Sequence, residues 1–364
     1  PDVLQDVSIG AAADGVLQAI RHEAISGTSQ FEDYQEVVVN WSGLLYHCEN
    51  VALDYKLAKI DTYTPCDMRA PGAPTGLFAL ESALDELAHA LKADPLELRL
   101  RNYAEKDENE GKPFTSKELR AAYREGAERF GWSRRSPEPR SMREGRELIG
   151  WGVASGVWEA QMMKTSARAT LTADGKLEVA TATADIGTGT YTILTQIGAD
   201  ALGLAMEDVT AKIGDSSLPT SPVEGGSWTA ASAGSAVLAA CDMVRARLLG
   251  AARGLPDSPL AGAAMEDVSF ANGRIGLSAD PLRSLPLTEV MRAAGLDRIE
   301  EEQTASPSKE MQKTYSSYTH SAVFAEVRVD EELGVIRVTR IVDAVAAGRI
   351  INPKTARSQI IGGV

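Results

Sequence analysis

Apolar positions recur along the chain in changing periods, and each change marks an element. Leu77, Leu80, Leu84, Leu87 and Leu91 lie three or four residues apart. They form one apolar stripe and predict a helix over about Thr75–Leu91. Asp94-Pro95-Leu96-Glu97 opens a second helix, with Asp94 at the N-cap, Pro95 in the first turn and Glu97 completing a capping box; it ends near Asn102. Upstream, Val7–Ile9 and Val16–Ala24 read as strands. They flank Asp14-Gly15, a dipeptide suited to the positive φ of a tight type I′ hairpin.

Ser133–Glu147, SRRSPEPRSMREGRE, has no apolar period and two prolines, the composition of a linker. The expected division is therefore a first region at 1–132, a linker at 133–147 and a second region at 148–364. Past the linker, Ala167–Thr172 and Leu177–Thr183 read as strands around Asp174-Gly175. The second runs into Asp185-Ile186-Gly187-Thr188-Gly189-Thr190, followed by a helix over about Tyr191–Leu202 and a strand near Val209–Ile213. A polar loop, Ser216–Trp228, precedes an Ala-rich helix over about Thr229–Ala252. Asn272-Gly273 and Glu332-Leu333-Gly334 signal hairpins, the latter between His320–Val329 and Val335–Val342. These patterns give an α+β class, two mixed α/β domains with short mixed sheets and packed helices.

Composition narrows the function. The 364 residues carry 37 Lys+Arg against 51 Asp+Glu, a formal charge of −14. That balance repels phosphate backbones, so no nucleic acid is expected as partner. No apolar run reaches the ~18 residues a membrane span requires. Cys48, Cys66 and Cys241 form no CxxC and read as buried thiols. His22, His47, His89 and His320 are scattered without an HExxH, so no metal site made of protein ligands is expected.

Three stretches remain as candidate chemistry. Gly187 and Gly189 let the backbone approach a ligand at a helix start, where an anion is favoured. Thr192 stands where a dinucleotide fingerprint needs its third glycine, however, and taken alone the loop reads as a tight turn. Gly225-Gly226-Ser227 also precedes a helix, and ordinary capping by Ser227 or Thr229 is the plainer reading. Arg69 follows Pro65-Cys66-Asp67-Met68 on a rigid approach that could aim a cation into a cleft, although a surface ion pair is the commoner fate of an Arg.

Read together, Met68–Asn102, Asp185–Leu204, Ser216–Cys241 and Gly348–Val364 follow the order of one family. They resemble the molybdopterin-binding large subunit of the xanthine dehydrogenase and aldehyde oxidase family, nearest its bacterial aldehyde and isoquinoline oxidoreductase branch. The resemblance implies a molybdenum–molybdopterin cofactor, with the cytosine dinucleotide form among those it admits. It also implies oxidation of aldehydes or N-heteroaromatic compounds with water-derived oxygen. Electrons would pass to a small iron–sulfur subunit or domain with two-iron two-sulfur clusters, and onward to a flavin or cytochrome subunit.

By the same resemblance, Arg69 is the catalytic cation, stabilising negative charge on the substrate. Gly187, Thr188, Gly189, Gly225, Gly226, Ser227, Gln359 and Arg101 are the cofactor contacts. Many relatives carry Gln where Thr188 stands. Trp158, Glu159, Gln161 and Met162 line the substrate funnel. The family's general base lies in a Gly-x-Gly-Glu motif, which this sequence does not contain. The chain is thus expected to be the central part of a larger subunit, inactive and without cofactor when isolated. The rival expectation is a non-catalytic interaction or assembly module of the same descent. Bacterial cytoplasm and periplasm are both open as its location.

Overall fold

The computed structural model describes residues 2–364. They divide into two compact units, one formed by the chain up to Ala160 with Glu310–Gly348, the other by Gln161–Lys309 with Arg349–Val364. This division crosses at a different point from the expected linker, because residues 133–147 lie inside the first unit.

The first unit begins with β1 (Val3–Ala11), β2 (Leu17–Thr28) and β3 (Val51–Lys59). β2 is central, antiparallel to β1 and parallel to β3. The Asp14-Gly15 turn is looser than a type I′ hairpin. Only Gly15 takes positive φ, and the Asp14 carboxylate accepts the Val16 N–H. α1 (Ala73–Leu91) and α2 (Pro95–Arg101) follow. Leu80 and Leu84 of the predicted stripe are fully buried, and Asp94 caps α2 by accepting from the Leu96 and Glu97 N–H groups. The short strands β4 (Lys106–Asp107) and β5 (Lys112–Pro113) lead to α3 (Leu119–Phe130). The expected linker ends in a hairpin of β6 (Arg143–Glu144) with β7 (Glu147–Glu159).

In the second unit, β8 (Thr165–Thr172), β9 (Leu177–Ala180), α4 (Thr190–Leu202), β10 (Val209–Lys212) and α5 (Thr229–Arg253) come in the order read from the sequence. β9 and β10 are parallel and joined through α4. Then come β11 (Val268–Ala271), β12 (Arg274–Leu277), β13 (Asp280–Pro286), α6 (Leu287–Ala293) and β14 (Arg298–Ala305). Asn272 and Gly273 both take positive φ between β11 and β12, as a type I′ turn requires. The main sheet runs β10-β9-β8-β14, with α5 packed on β8 and β14 through Ala233, Ala236, Val237, Ala240 and Val244. These small residues let the helix lie close to the sheet.

The chain returns to the first unit at the start of α7 (Lys309–Thr314) and continues as β15 (Tyr318–Asp330) and β16 (Val335–Ala346). β15 pairs with β7 on one side and β16 on the other. α8 (Pro353–Gly363) belongs to the second unit. Among the described residues, no helix is long and apolar enough to cross a membrane.

A buried polar network ties the first unit together. Arg99 of α2 donates to Glu81 of α1 at 2.8 Å and to Asp85 at 2.9 Å. Glu81 also accepts from Tyr46 and from the Ser155 N–H of β7, while Tyr123 of α3 meets the Ser155 hydroxyl. Burial disfavours the charged guanidinium, but Glu81 and Asp85 outweigh that cost and hold Arg99 firmly protonated.

Candidate functional site

The second unit presents two helix mouths, each entered by a glycine turn. At α4 the chain leaves β9 through Thr183 and Ala184 and reaches Asp185. The Asp185 carboxylate accepts from the N–H of Gly187 at 2.8 Å, Gly189 at 3.2 Å and Tyr191 at 3.4 Å. Partial burial opposes its ionisation, but these donors outweigh burial and hold its pKa below the ordinary carboxylate value. The positive end of α4 therefore already faces an anion of its own chain.

Gly187 and Gly189 serve different ends. Gly187 has φ 99° and open space where a Cβ would stand, so another molecule can approach its backbone. A Cβ on Gly189 would come 2.9 Å from Cγ2 of Thr355 on α8. The glycine there is a packing requirement, and it brings α8 against the α4 mouth. Gln359 stands four residues beyond Thr355, on the same helix face. Asn352 caps α8 through the Lys354 and Thr355 N–H groups and also donates to Gln196 of α4 at 2.9 Å.

The α5 mouth differs. Its N-cap is Trp228, and like α4 it has no side-chain bond from the N-cap and no acidic residue in the first turn; what it lacks is a carboxylate placed as Asp185 is, accepting from the N–H groups of the turn. The expected caps, Ser227 and Thr229, do not serve: Ser227 sits in the left-handed region (φ 60°) and Thr229 is already helical. The Trp228 indole folds back to donate to the Val223 carbonyl at 2.8 Å and covers Gly226, where any Cβ would overlap the ring. Gly225, at φ 148°, faces open space. The first-turn N–H groups of α5 have no acceptor within the helix, so this end is the positive pole of the helix dipole.

Three contacts draw other parts of the second unit to these mouths. Glu224 accepts from the Thr183 hydroxyl at 2.8 Å and from the Ala184 N–H. The Met163 N–H donates to the Ser232 hydroxyl at 2.8 Å, which ties the segment of Gln161 and Met162 to the first turn of α5. The contact of Thr355 with Gly189 completes the set. Gly187, Thr188, Gly189, Gly225, Gly226, Ser227, Met162 and the Gln359 helix are thereby gathered in one unit. Sequence reasoning gave no role to Asp185 or Glu224. The signal for Asp185 was an Asp two residues before a glycine that enters a helix, an Asx-turn pattern.

The remaining candidates belong to the first unit. Arg69 is exposed, with φ 37°, followed by Ala70 at φ 58° and Gly72 at φ 85°. Such consecutive left-handed residues are costly, and close packing holds them. Cβ atoms on Gly72 or Gly76 would overlap the backbone of Val37 and Val38, so the start of α1 lies directly on that segment. Tyr34 donates to Asp67 at 2.8 Å and so tethers the approach. Cys66 on this approach is exposed, unlike the buried Cys48 and Cys241, which corrects the expectation of three buried thiols. Arg101 is exposed in the last turn of α2 beside the Gly15 turn. Trp158 and Glu159 end β7, and the Trp158 ring packs on Trp41 with centroids 5.6 Å apart. The Trp158 Nε1 is buried without a hydrogen-bond partner.

The N–H donors of the α5 mouth and the bare backbone at Gly187 and Gly225 fit an anionic group. Comparison with known proteins points the same way. The chain is 39% identical over its whole length to the aldehyde oxidoreductase molybdenum-binding subunit PaoC of Escherichia coli. It is 26% identical over 99% of its length to a putative xanthine dehydrogenase molybdenum-binding subunit, XdhA, of the same organism. The chain spans about half the length of these curated relatives, 48% and 49%. Among solved structures, quinoline 2-oxidoreductase from Pseudomonas putida shares the fold over the whole chain, with a TM-score of 0.86 at 22% identity, and the chain covers 49% of it. Aldehyde oxidoreductase from Desulfovibrio gigas does so over 99% of the chain, with a TM-score of 0.76 at 22% identity and 38% coverage of that protein. Residues 1–103 and 125–364 each match a family model described as a molybdopterin cofactor-binding domain. With most of its length inside those two matches, the chain belongs to the molybdopterin cofactor-binding domain family.

Proposed function

We propose that this chain forms cofactor walls of a molybdenum hydroxylase that oxidises aldehydes, with N-heteroaromatic compounds as the alternative substrate class. The observation that carries the reading is the uncapped α5 mouth inside the longer family match, placed beside the Gly187 turn and the Gln359 helix. When bound, the molybdenum–molybdopterin group would supply the redox chemistry and the route by which electrons leave the substrate. The α5 N–H groups with Gly225, Gly226 and Ser227 hold its anionic part. Gly187, Thr188 and Gly189 offer a close backbone approach, with the donors of Gly187 and Gly189 retained by Asp185. Gln359 adds an amide contact and Arg101 a cation.

Arg69 is the residue assigned to stabilise negative charge developing on the substrate, a task for a cation on a rigid loop. Trp158, Glu159, Gln161 and Met162 line the approach. The electron-accepting partner is a small iron–sulfur subunit with two-iron two-sulfur clusters, in turn served by a flavin or cytochrome subunit. The cytosine dinucleotide form of the cofactor is part of the same proposal. Because the sequence contains no Gly-x-Gly-Glu, the 364-residue polypeptide alone is expected to turn over no aldehyde.

Metal and pterin analysis of the intact protein, with turnover of an aromatic aldehyde by a dye acceptor, tests the reading. Molybdenum, pterin and turnover are expected together; protein purified with its neighbours yet holding neither metal nor pterin would contradict it. Arg69→Ala should lower kcat/KM by ~2–4 kcal/mol of transition-state stabilisation and leave the pterin content unchanged. An unaltered rate would remove Arg69 from the chemistry.

A further inference from the structure

The two glycine turns are distant in sequence and share a single charged residue. Glu224 immediately precedes Gly225, and one of its oxygens, Oε1, accepts from both Thr183 and the Ala184 N–H. Ala184 in turn immediately precedes Asp185, whose carboxylate organises Gly187, Gly189 and Tyr191. A continuous relay therefore runs from the α5 turn through Glu224, Ala184 and Asp185 to the α4 turn. The rest of the α5 turn is locally held: Trp228 bonds within its own loop to Val223, and the Trp228 N–H reaches only Gly225. A charge-assisted bond to a main-chain N–H is about twice as strong as a neutral one, and it fixes separation as well as contact.

We infer that Glu224 is a positioning residue that sets the spacing between the two glycine turns, so that both can grip one cofactor at once. The inference rests on reading those turns as cofactor walls. Glu224 acts through Ala184 and Thr183, both of which its Oε1 holds. The role needs an acceptor at Oε1 and the full length of the side chain. Gln keeps both, Ala removes both, and Asp keeps the charge but shortens the reach by a methylene.

The test compares Glu224→Ala, Glu224→Gln, Glu224→Asp and Thr183→Val in the intact protein by amide hydrogen exchange, with pterin content as a second measurement. In Glu224→Ala, which removes the acceptor of both bonds, exchange should accelerate at least about tenfold in 184–191 and 225–228 together. The β8 strand and the second half of α5 should keep their protection, and pterin content should fall several-fold. Glu224→Gln, which keeps acceptor and reach but not the charge, should restore most of both measurements and Glu224→Asp should not; Thr183→Val should give a smaller change of the same pattern. Should Glu224→Ala fail to fold, the other three variants carry the same contrast. Faster exchange confined to 225–228, or equal behaviour of Gln and Ala, would overturn the coupling. Coupled exchange with unchanged pterin content would leave the relay in place but remove its cofactor role, and with it the reading of the turns as cofactor walls.

Discussion

The α4 and α5 mouths begin alike, with a strand or loop running into glycines at positive φ and then into a helix, yet they end in opposite electrostatic states. Asp185 fills the first with a carboxylate and satisfies its leading N–H groups. No side chain caps the second. A glycine-rich helix start is therefore not in itself an anion site. What decides is where the chain directs its own carboxylate: Asp185 accepts from the N–H groups of the α4 turn, whereas Glu224, next to Gly225, is turned to Thr183 and Ala184. The proposed division of labour follows: α5 binds charge, and α4 offers bare backbone for contact.

The strongest way to break the comparison is Gly226→Ala. The added methyl must overlap the Trp228 ring at a left-handed backbone position, so the α5 turn should open at a cost of ~2–3 kcal/mol. Chemical denaturation and pterin content measure the two consequences. Wild-type values for both would show that the turn geometry is irrelevant.

Asp185→Ala comes next. Losing the acceptor for several amides at α4 should destabilise the protein by ~1–2 kcal/mol while sparing the α5 site. Because the folded Asp185 pKa is held below its unfolded value, its contribution is present in full above the unfolded carboxylate value of ~3.9 and is lost as pH falls through the folded value. The difference in stability between wild type and Asp185→Ala should thus shrink on acidification below about pH 4. A difference that grows instead would contradict the assignment.

The smallest effect is expected at Gly187→Ala, where space is open but φ is 99°. Backbone strain of about 1 kcal/mol should appear in stability. A larger loss in pterin content than in stability would sharpen the view that this turn touches the cofactor by close approach.

Local signals carried much of the fold. The leucine stripe of α1, the Asp94-Pro95 start of α2, the β9–α4–β10 order and the Asn272-Gly273 turn are each set by neighbours within one or two turns of chain. The unread parts depend on distant partners. β15 rejoins the first unit by pairing with β7, more than 150 residues upstream, and brings β16 with it; nothing local in the segment names that partner. The helix α3 was readable, since Leu119, Ala122, Tyr123, Gly126 and Phe130 share one buried face, but its short polar surroundings masked the period. Glu81, four residues after Leu77, went unread, because its buried bond to Arg99 joins two different helices. For the candidate site, the glycines were legible because positive φ restricts the residue type. Asp185 and Glu224 were not, because an acid's meaning depends on which donors the fold brings to it.

The most direct measurement of the central contrast is amide hydrogen exchange of the intact protein with its cofactor bound and after its release. Bound cofactor should add protection at the first-turn amides of α5, Thr229 to Ala231, and leave Gly187, Gly189 and Tyr191 unchanged, because Asp185 holds them in both states. New protection at the α4 amides with none at α5 would contradict the assignment of the α5 mouth as the anion site.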